Sequence, residues 1–199
     1  MNLEVKQEAP AFLGEYATIP IAFEVALVFD VVDSTQRPGE FTLTKRHLEV
    51  PYRKDYDLVP AEHPLTWAGR FDLSKWGLFA ARLKRRLVGG AAIAINDPGL
   101  EMAQGRRELA VLWDLRVSPG YRGQGIGSVL FRAAEQWAIA RGGRQLKIET
   151  QNTNVPACEF YARQGCRLET VRRLVYPDFP HEAQLFWHKE LGAKRSSSR

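Results

Sequence analysis

The segment 109–128 constrains the fold more than any other part of the chain. Leu109–Val117 is a near-continuous apolar run of strand length, the pattern of a strand buried on both faces of a sheet. Ser118-Pro119-Gly120 ends it. A helix follows from about Gly125 to Arg141, with Ile126, Val129, Leu130, Ala133, Ala134 and Trp137 on one face. Between strand and helix lies Arg122-Gly-Gln-Gly125-Ile-Gly127-Ser128. Glycine inside a helix costs roughly 1 kcal/mol against alanine, so a cluster at a helix start needs a reason. Backbone N–H groups that must approach a bulky anion closely supply one. A helix N-terminus offers free donors and the positive end of its dipole, which suits a pyrophosphate, and Arg122 adds a cation. Two commoner nucleotide loops fit poorly. A Walker loop ends in Gly-Lys-Ser/Thr, whereas Gly127 is followed directly by Ser128. A dinucleotide fingerprint reads G-x-G-x-x-G, and this loop reads G-x-G-x-G.

The rest of the chain arranges itself around that unit. Residues 1–20 are weakly patterned and are expected to be peripheral. Phe23–Val32 reads as a strand, Pro38-Gly39 as a turn and Phe41–Val50 as a second strand. Pro51–Pro64, polar, aromatic and bracketed by prolines, reads as a loop or lid, and Leu65–Trp76 as a short helix. Trp76–Leu83 and Leu87–Ile95 form a hairpin turning at Lys84–Arg86, and Asn96–Arg107 is a loop. Gly142-Gly143 stops the central helix. Leu146–Thr150 is a short strand and Pro156–Gln164 a helix with proline in its first turn. Arg167–Tyr176 and Glu182–Leu191 close the chain as strands. The fold class is α/β, a mixed sheet with helices on its faces. One domain is expected over 21–191, with its core motifs at 109–165 and a disordered basic tail at 192–199.

Composition narrows the function. The 199 residues suffice for one domain, and 45% hydrophobic with 26% charged residues is ordinary for a soluble protein. The net charge of +5 raises nucleic-acid binding. Lys194, Arg195 and Arg199 flank a serine run in the tail, however, and other cations are scattered or sit beside the glycine loop. An anionic ligand there accounts for them, so nucleic acid is disfavoured. No apolar run reaches the ~18 residues of a membrane span, and the first residues do not form a signal peptide. A cytoplasmic location is expected. Cys158 and Cys166 suggest neither a disulfide framework nor a metal pair. His47, His63, His181 and His188 lack metal spacing and are expected on the surface or in loops.

The stretch Asp114-Leu-Arg-Val117 followed by Tyr121-Arg122-Gly-Gln-Gly-Ile-Gly127 resembles the core motif of the GNAT superfamily of N-acetyltransferases, Arg/Gln-x-x-Gly-x-Gly/Ala. Asn154 and Tyr161 fall seven apart, as that superfamily often has them, and the pattern covers about residues 76–190. The segment from Glu149 to Tyr161, continued by Tyr176-Pro-Asp-Phe179 and Phe186-Trp187, resembles the streptothricin acetyltransferases. That likeness extends weakly upstream through Phe23-Glu-Val25 and Pro51–Tyr56. One position departs: those enzymes carry a glutamate where this chain has Trp113. The Glu149–Asn154–Tyr161 spacing also resembles the ribosomal-protein alanine N-acetyltransferases.

The resemblance implies an acyl-CoA N-acyltransferase fold and acetyl transfer from acetyl-CoA to a primary amine, by direct attack in a ternary complex. That chemistry needs a base, because an alkylammonium has a pKa near 10.4. It needs a donor for the developing oxyanion and an acid for the leaving thiolate. Tyr161, on one helical face with Ala157 and Phe160, is the candidate acid; its alternative is an aromatic core residue. Glu149 at a strand end is the leading base, with Asp114 in reserve. Strand alternation is expected to turn Asp114 away from both Trp113 and Leu115. The implied coenzyme contacts are Leu115, Arg116, Val117, Arg122, Gly123, Gln124, Gly125, Ile126, Gly127, Ser128, Asn154, Ala157 and Tyr161. Asn154 also suits a helix cap. No metal is implied.

For a polycationic acceptor, Asp55, Asp57, Glu149, Asp178 and Glu182 lie in segments suited to a cleft. Tyr52, Tyr56, Tyr176 and Phe179 could add cation–π contacts. A protein or peptide N-terminal or lysine acetyltransferase is the alternative. A coenzyme-binding or nucleic-acid-binding module without turnover is another, and a homodimer stays open.

Overall fold

The computed structural model describes residues 2–37 and 39–192. Pro38 of the expected turn and the basic tail from residue 193 lie outside the described residues. Nine strands and three helices follow in chain order: β1 (Leu3–Glu8), α1 (Leu13–Tyr16), β2 (Phe23–Asp33), β3 (Phe41–Lys54), β4 (Trp76–Leu83), β5 (Arg86–Ile95), β6 (Leu109–Val117), α2 (Ile126–Ala140), β7 (Gln145–Gln151), α3 (Val155–Arg163), β8 (Arg167–Arg173) and β9 (Ala183–Glu190). Seven strands form one sheet in the order β1-β4-β5-β6-β7-β9-β8, and β2-β3 stands apart as a two-stranded ribbon. The β6/β7 pair is parallel and every other pair of the sheet is antiparallel. The mixed sheet with helices is the expected architecture.

Each face of the sheet has its own core. Helices α2 and α3 lie on one, where Ile126, Leu130, Phe131, Ala134 and Trp137 meet Val88, Ala91, Ile93, Leu112 and Ile148. The other face carries Tyr16, Trp67, Trp76, Leu78, Ala92 and Val111, with Trp113 packed at its margin. Gly90 makes room there: a Cβ at this position would stand 2.5 Å from the Tyr16 ring.

Residues 1–20 are not peripheral. Strand β1 pairs with β4 along six residues, and Tyr16 is fully buried beneath the sheet. The short, mixed pattern of β1 conceals it because an edge strand buries little of itself. Strand β3 runs through Pro51 to Lys54, shortening the expected loop. The ribbon's register slips between Val25 and Leu27, opposite the stretch that contains Pro51, so the missing N–H falls at an irregularity. The expected helix at 65–76 is two separate 3₁₀ turns, Pro64–Gly69 and Leu73–Lys75. Asp72 restarts the chain by accepting from the Ser74 N–H. Strand β8 stops at Arg173 rather than Tyr176, because Leu174 takes a left-handed φ of 59°. Cys158 and Cys166 are buried and unbridged. His47 is exposed on a strand, on the surface as expected, whereas His188 sits in a strand and is largely covered beside Glu169.

Strands β6 and β7 pair only from Leu109–Leu112 to Gln145–Ile148. Beyond that point β6 continues against β5 and β7 against β9, so the two part company. The parting coincides with an irregularity in β6, where Ile93 pairs with Leu112 and Ala92 with Asp114, leaving Trp113 as the extra residue. A bulge bends and twists its strand locally, which turns the end of β6 away from β7. It also breaks the expected alternation. Leu115 does face the α2/α3 side, but Trp113 and Asp114 both face the other, where Asp114 meets Tyr16.

Candidate active site

The gap between β6 and β7 gathers the chemistry. On its β6 side, Ser118 N–H donates to Val88 of β5, so alternation aims the backbone groups of Leu115 and Val117 toward the open side. The Val117 carbonyl accepts from the Arg122 guanidinium at 2.9 Å. Two further bonds tie Arg122 to the carbonyls of Pro20 and Ala22. Arg122 thus braces the loop against the N-terminal segment instead of projecting freely toward an anion, as its sequence position suggested.

The glycine loop ends the gap. Gly123 and Gly125 hold φ of 75° and 84°, which only glycine adopts without strain, and nothing lies within 4 Å of a Cβ placed on either. Gly125 caps α2 without a side-chain bond, and no acidic residue occupies the first turn. The first helical bond is Val129 N–H to the Gly125 carbonyl. The N–H groups of Ile126, Gly127 and Ser128 are therefore open to an anion. Gln124 closes the loop by donating to the Gly120 carbonyl. Gly127 lies against Phe160, the Ser128 hydroxyl accepts from Gln164, and Ile126 is buried, so this turn is pinned to α3 and the core. The cradle fits the pyrophosphate of a coenzyme. Gly125→Ala would force a side chain into the left-handed region at a cost of about 1–2 kcal/mol. Weaker acetyl-CoA binding by calorimetry, with a lowered melting temperature, is the expected result.

Helix α3 supplies the other wall. Asn154 caps it by accepting from the Ala157 N–H at 3.2 Å, so the cap reading holds and places Ala157 beside the gap. Tyr161 is 7% exposed, and its ring packs against Phe160 and Phe131. No group among the described residues bonds its hydroxyl. Among the described residues the enclosed side-chain polar atoms without partners are Trp137 Nε1 and Thr153 Oγ1, so the Tyr161 hydroxyl reaches an opening. Burial, and then Asp114, push that hydroxyl well above its usual range. It is a proton donor at neutral pH.

The two candidate bases differ sharply. Asp114 accepts from Tyr16 at 2.7 Å and from Arg116 at 3.0 and 2.5 Å. Arg116 also binds both Asp57 oxygens and the Ile19 carbonyl, and lies over the Tyr16 ring. Burial disfavours its charge, but the Asp114 carboxylate more than offsets this and holds the guanidinium firmly protonated. Four hydrogen-bonding groups thus lock one another, and the Asp114 lone pairs are committed. The Arg116 side chain points to the Tyr16 face and its backbone faces β5, so neither is left for a coenzyme, contrary to the sequence expectation. Glu149 is different: among the described residues it has no cation partner, and its one side-chain bond comes from Tyr176 at 2.9 Å.

Other acidic residues expected to line a cleft serve internally. Asp57 pairs with Arg116, Asp55 with Arg53, and the buried Glu182 with Lys54. Asp178, in the loop after β8, has no cation partner among the described residues. Lys54 lies over Tyr56 and Phe179, so those rings already carry a cation. The sequence did not single out Glu62. It lies open to solvent yet crowded by protein, which pushes its carboxyl up; Arg70 opposes this, while Glu149 and Asp114 add to it. Tyr16 was missed as well, since nothing local marks a residue 98 positions from its partner. Among the described residues no helix is long and apolar enough to cross a membrane.

Known proteins share this arrangement. Residues 43–166 match the acetyltransferase (GNAT) family model. Streptothricin acetyltransferase of Escherichia coli is 31% identical over 175 residues, spanning 86% of this chain and 87% of the relative. A nourseothricin acetyltransferase crystal structure superposes with a TM-score of 0.73 at 21% identity, covering 96% of this chain and 99% of that one. A Bacillus anthracis str. Ames protein solved in complex with acetyl coenzyme A gives a TM-score of 0.77 at 22% identity, over 96% and 100% of the two chains. Family model, identity and fold agree: this chain belongs to the GNAT family of acetyltransferases.

Proposed function

We propose that the protein transfers acetyl from acetyl-CoA to a primary amine of a small polycationic acceptor of the streptothricin type, by direct attack. The observation that carries this reading is the pair of groups left chemically free at the β6/β7 gap. Glu149 has no cation partner, and the Tyr161 hydroxyl has no hydrogen-bond partner. A hydroxyl that bonds no described protein group and reaches an opening is free to give its proton to a departing thiolate.

Each residue then has a task. The α2 N-terminus and glycine loop bind the pyrophosphate, and the open backbone of Leu115 with the N–H of Val117 aligns the arm that carries the thioester. The coenzyme brings the acetyl group as a thioester. Glu149 takes the proton from the incoming ammonium, directly or through one water, so that a neutral amine attacks. Tyr161 gives its proton to the leaving sulfur. Asp114 shapes the opening and holds Arg116, and a base role is assigned to Glu149 alone. The E. coli relative's antibiotic name, at 31% identity, supports the acceptor class. Two unbridged cysteines fit the reducing cytoplasm in which we place the enzyme.

Thiol release from acetyl-CoA, measured against streptothricin, polyamines and N-terminal peptides, tests the acceptor. Fastest turnover is expected with streptothricin; preference for a peptide overturns the small-molecule reading. Tyr161→Phe is expected to lower turnover about 10–100-fold while leaving acetyl-CoA affinity unchanged. Undiminished turnover removes Tyr161 as the acid.

A further inference from the structure

We infer that Tyr176 is a positioning residue for Glu149, fixing one carboxylate oxygen so that the other is presented to the acceptor amine. The inference rests on the proposed role of Glu149 as base.

The loop after β8 brings Tyr176 there. Leu174, exposed and left-handed, turns the chain out of the strand, and Pro177 directly follows Tyr176. The Tyr176 hydroxyl then lies under β7, where Lys147, Glu149 and Gln151 alternate on the face away from α2 and α3. A phenol has one proton. Tyr176 gives it to Glu149 Oε1 at 2.9 Å and accepts from Gln151 Nε2 at 2.9 Å. Gln151 Oε1 accepts in turn from the Tyr56 hydroxyl. All donors in the series run one way, Tyr56 to Gln151 to Tyr176 to Glu149, so each polar atom is matched to the next.

The direction matters. A donor aimed at a carboxylate favours its charged form, the form a base requires. Burial, and then Glu149, push the Tyr176 hydroxyl well above its usual range, so it keeps its proton throughout any ordinary assay. Tyr56 is likewise pushed up by burial. Neither phenol competes with Tyr161 as the acid: both protons are directed along the series, whereas that of Tyr161 is free.

Other groups face this pair. Lys147 stands one turn of the strand away with its ammonium over Phe186, Glu62 approaches from the segment before Trp67, and Asp114 lies across the gap. Glu182 and Lys54 form a closed pair behind Tyr56. Glu149 works against the burial that lowers Lys147, and both Glu149 and Asp114 add to the upward push on the Glu62 carboxyl. Tyr176 is the group that contacts the carboxylate itself.

Tyr176→Phe in the full chain keeps the ring and removes the donor. Turnover is expected to fall about tenfold, the cost of one hydrogen bond to a charged group, with acetyl-CoA affinity unchanged. The acidic limb of the pH–rate profile moves to higher pH, because the carboxylate protonates more readily. In the coenzyme-free enzyme, carboxyl-¹³C NMR of Glu149 shows the same upward move. The effect vanishes in a Glu149→Gln background, since Tyr176 acts only through that carboxylate. An unmoved limb and resonance, or an equal loss in both backgrounds, overturns the inference. So does a change confined to KM for the amine, which would make Tyr176 a direct acceptor contact. Glu149→Gln alone tests the underlying role: if it leaves the limb intact the base assignment itself fails. If it removes the limb while Tyr176→Phe does not shift it, only the positioning role is lost.

Discussion

Arg116→Met lowers the stability of the folded protein by about 3–5 kcal/mol, the cost of stranding buried charges when one partner is removed. The side chain of Arg116 is 1% exposed, and the two carboxylates it neutralises are 7% and 19% exposed at Asp114 and Asp57. Methionine fills the volume but leaves two anions facing each other beside the Tyr16 hydroxyl. Urea denaturation checks this: the midpoint falls with the slope unchanged if the compactness of both states is preserved. The variant also carries a pH signature. With Arg116 gone, the stranded carboxylates take up protons more readily folded than unfolded, so its deficit shrinks as pH falls toward the carboxylate range. Adding Asp57→Asn restores part of the loss. A midpoint like that of the wild type would mean that water reaches the cluster and the charges are solvated.

Glu149→Gln removes the carboxylate proposed as the base and keeps the shape. An amide still accepts from Tyr176, so the local geometry survives, but it cannot take a proton at neutral pH. Turnover at neutral pH is expected to fall by about 10²–10⁴, the usual contribution of a positioned general base. The acidic limb of the pH–rate profile disappears, and activity rises only as the pH approaches that of the free amine. Acetyl-CoA binding, measured by calorimetry, stays as it was, because the pyrophosphate cradle lies at the start of α2. Asp114→Asn gives the contrasting result, with lost stability and a retained pH limb. The reverse pattern would move the base to Asp114.

The parts legible in the sequence are those where a local rule and the tertiary structure agree. The strand–glycine loop–helix unit announces itself because positive φ at Gly123 and Gly125 and a 3.6-residue apolar period are both properties of a short window. Tyr161 and Asn154 are read correctly as an inward ring and a cap for the same reason. What escaped depends on distant partners or on residue count. An apolar run cannot show that Trp113 is supernumerary, since the bulge exists only relative to β5. Arg122 looked like an anion ligand because its bonds to Pro20 and Ala22 cross a hundred residues. The carboxylates at 55, 57 and 182 were indistinguishable from Glu149 by type, and only the pairing of each sorted the occupied from the free.

The bulge at Trp113 carries a final implication for how this chain can change. Since it is one residue opposite none, removing it would restore a regular ladder without reversing any side chain: Leu112 and Leu115 would keep the helical side, and Asp114 the other. What would be lost is the fork. Strands β6 and β7 could then continue in step past Ile148, sealing the middle of the sheet with their own amides. Such a shortened protein would fold and be inert. The fork therefore constrains the number of residues here, while the kind of residue answers to the packing of Trp113 against Trp67, Phe71 and Trp76.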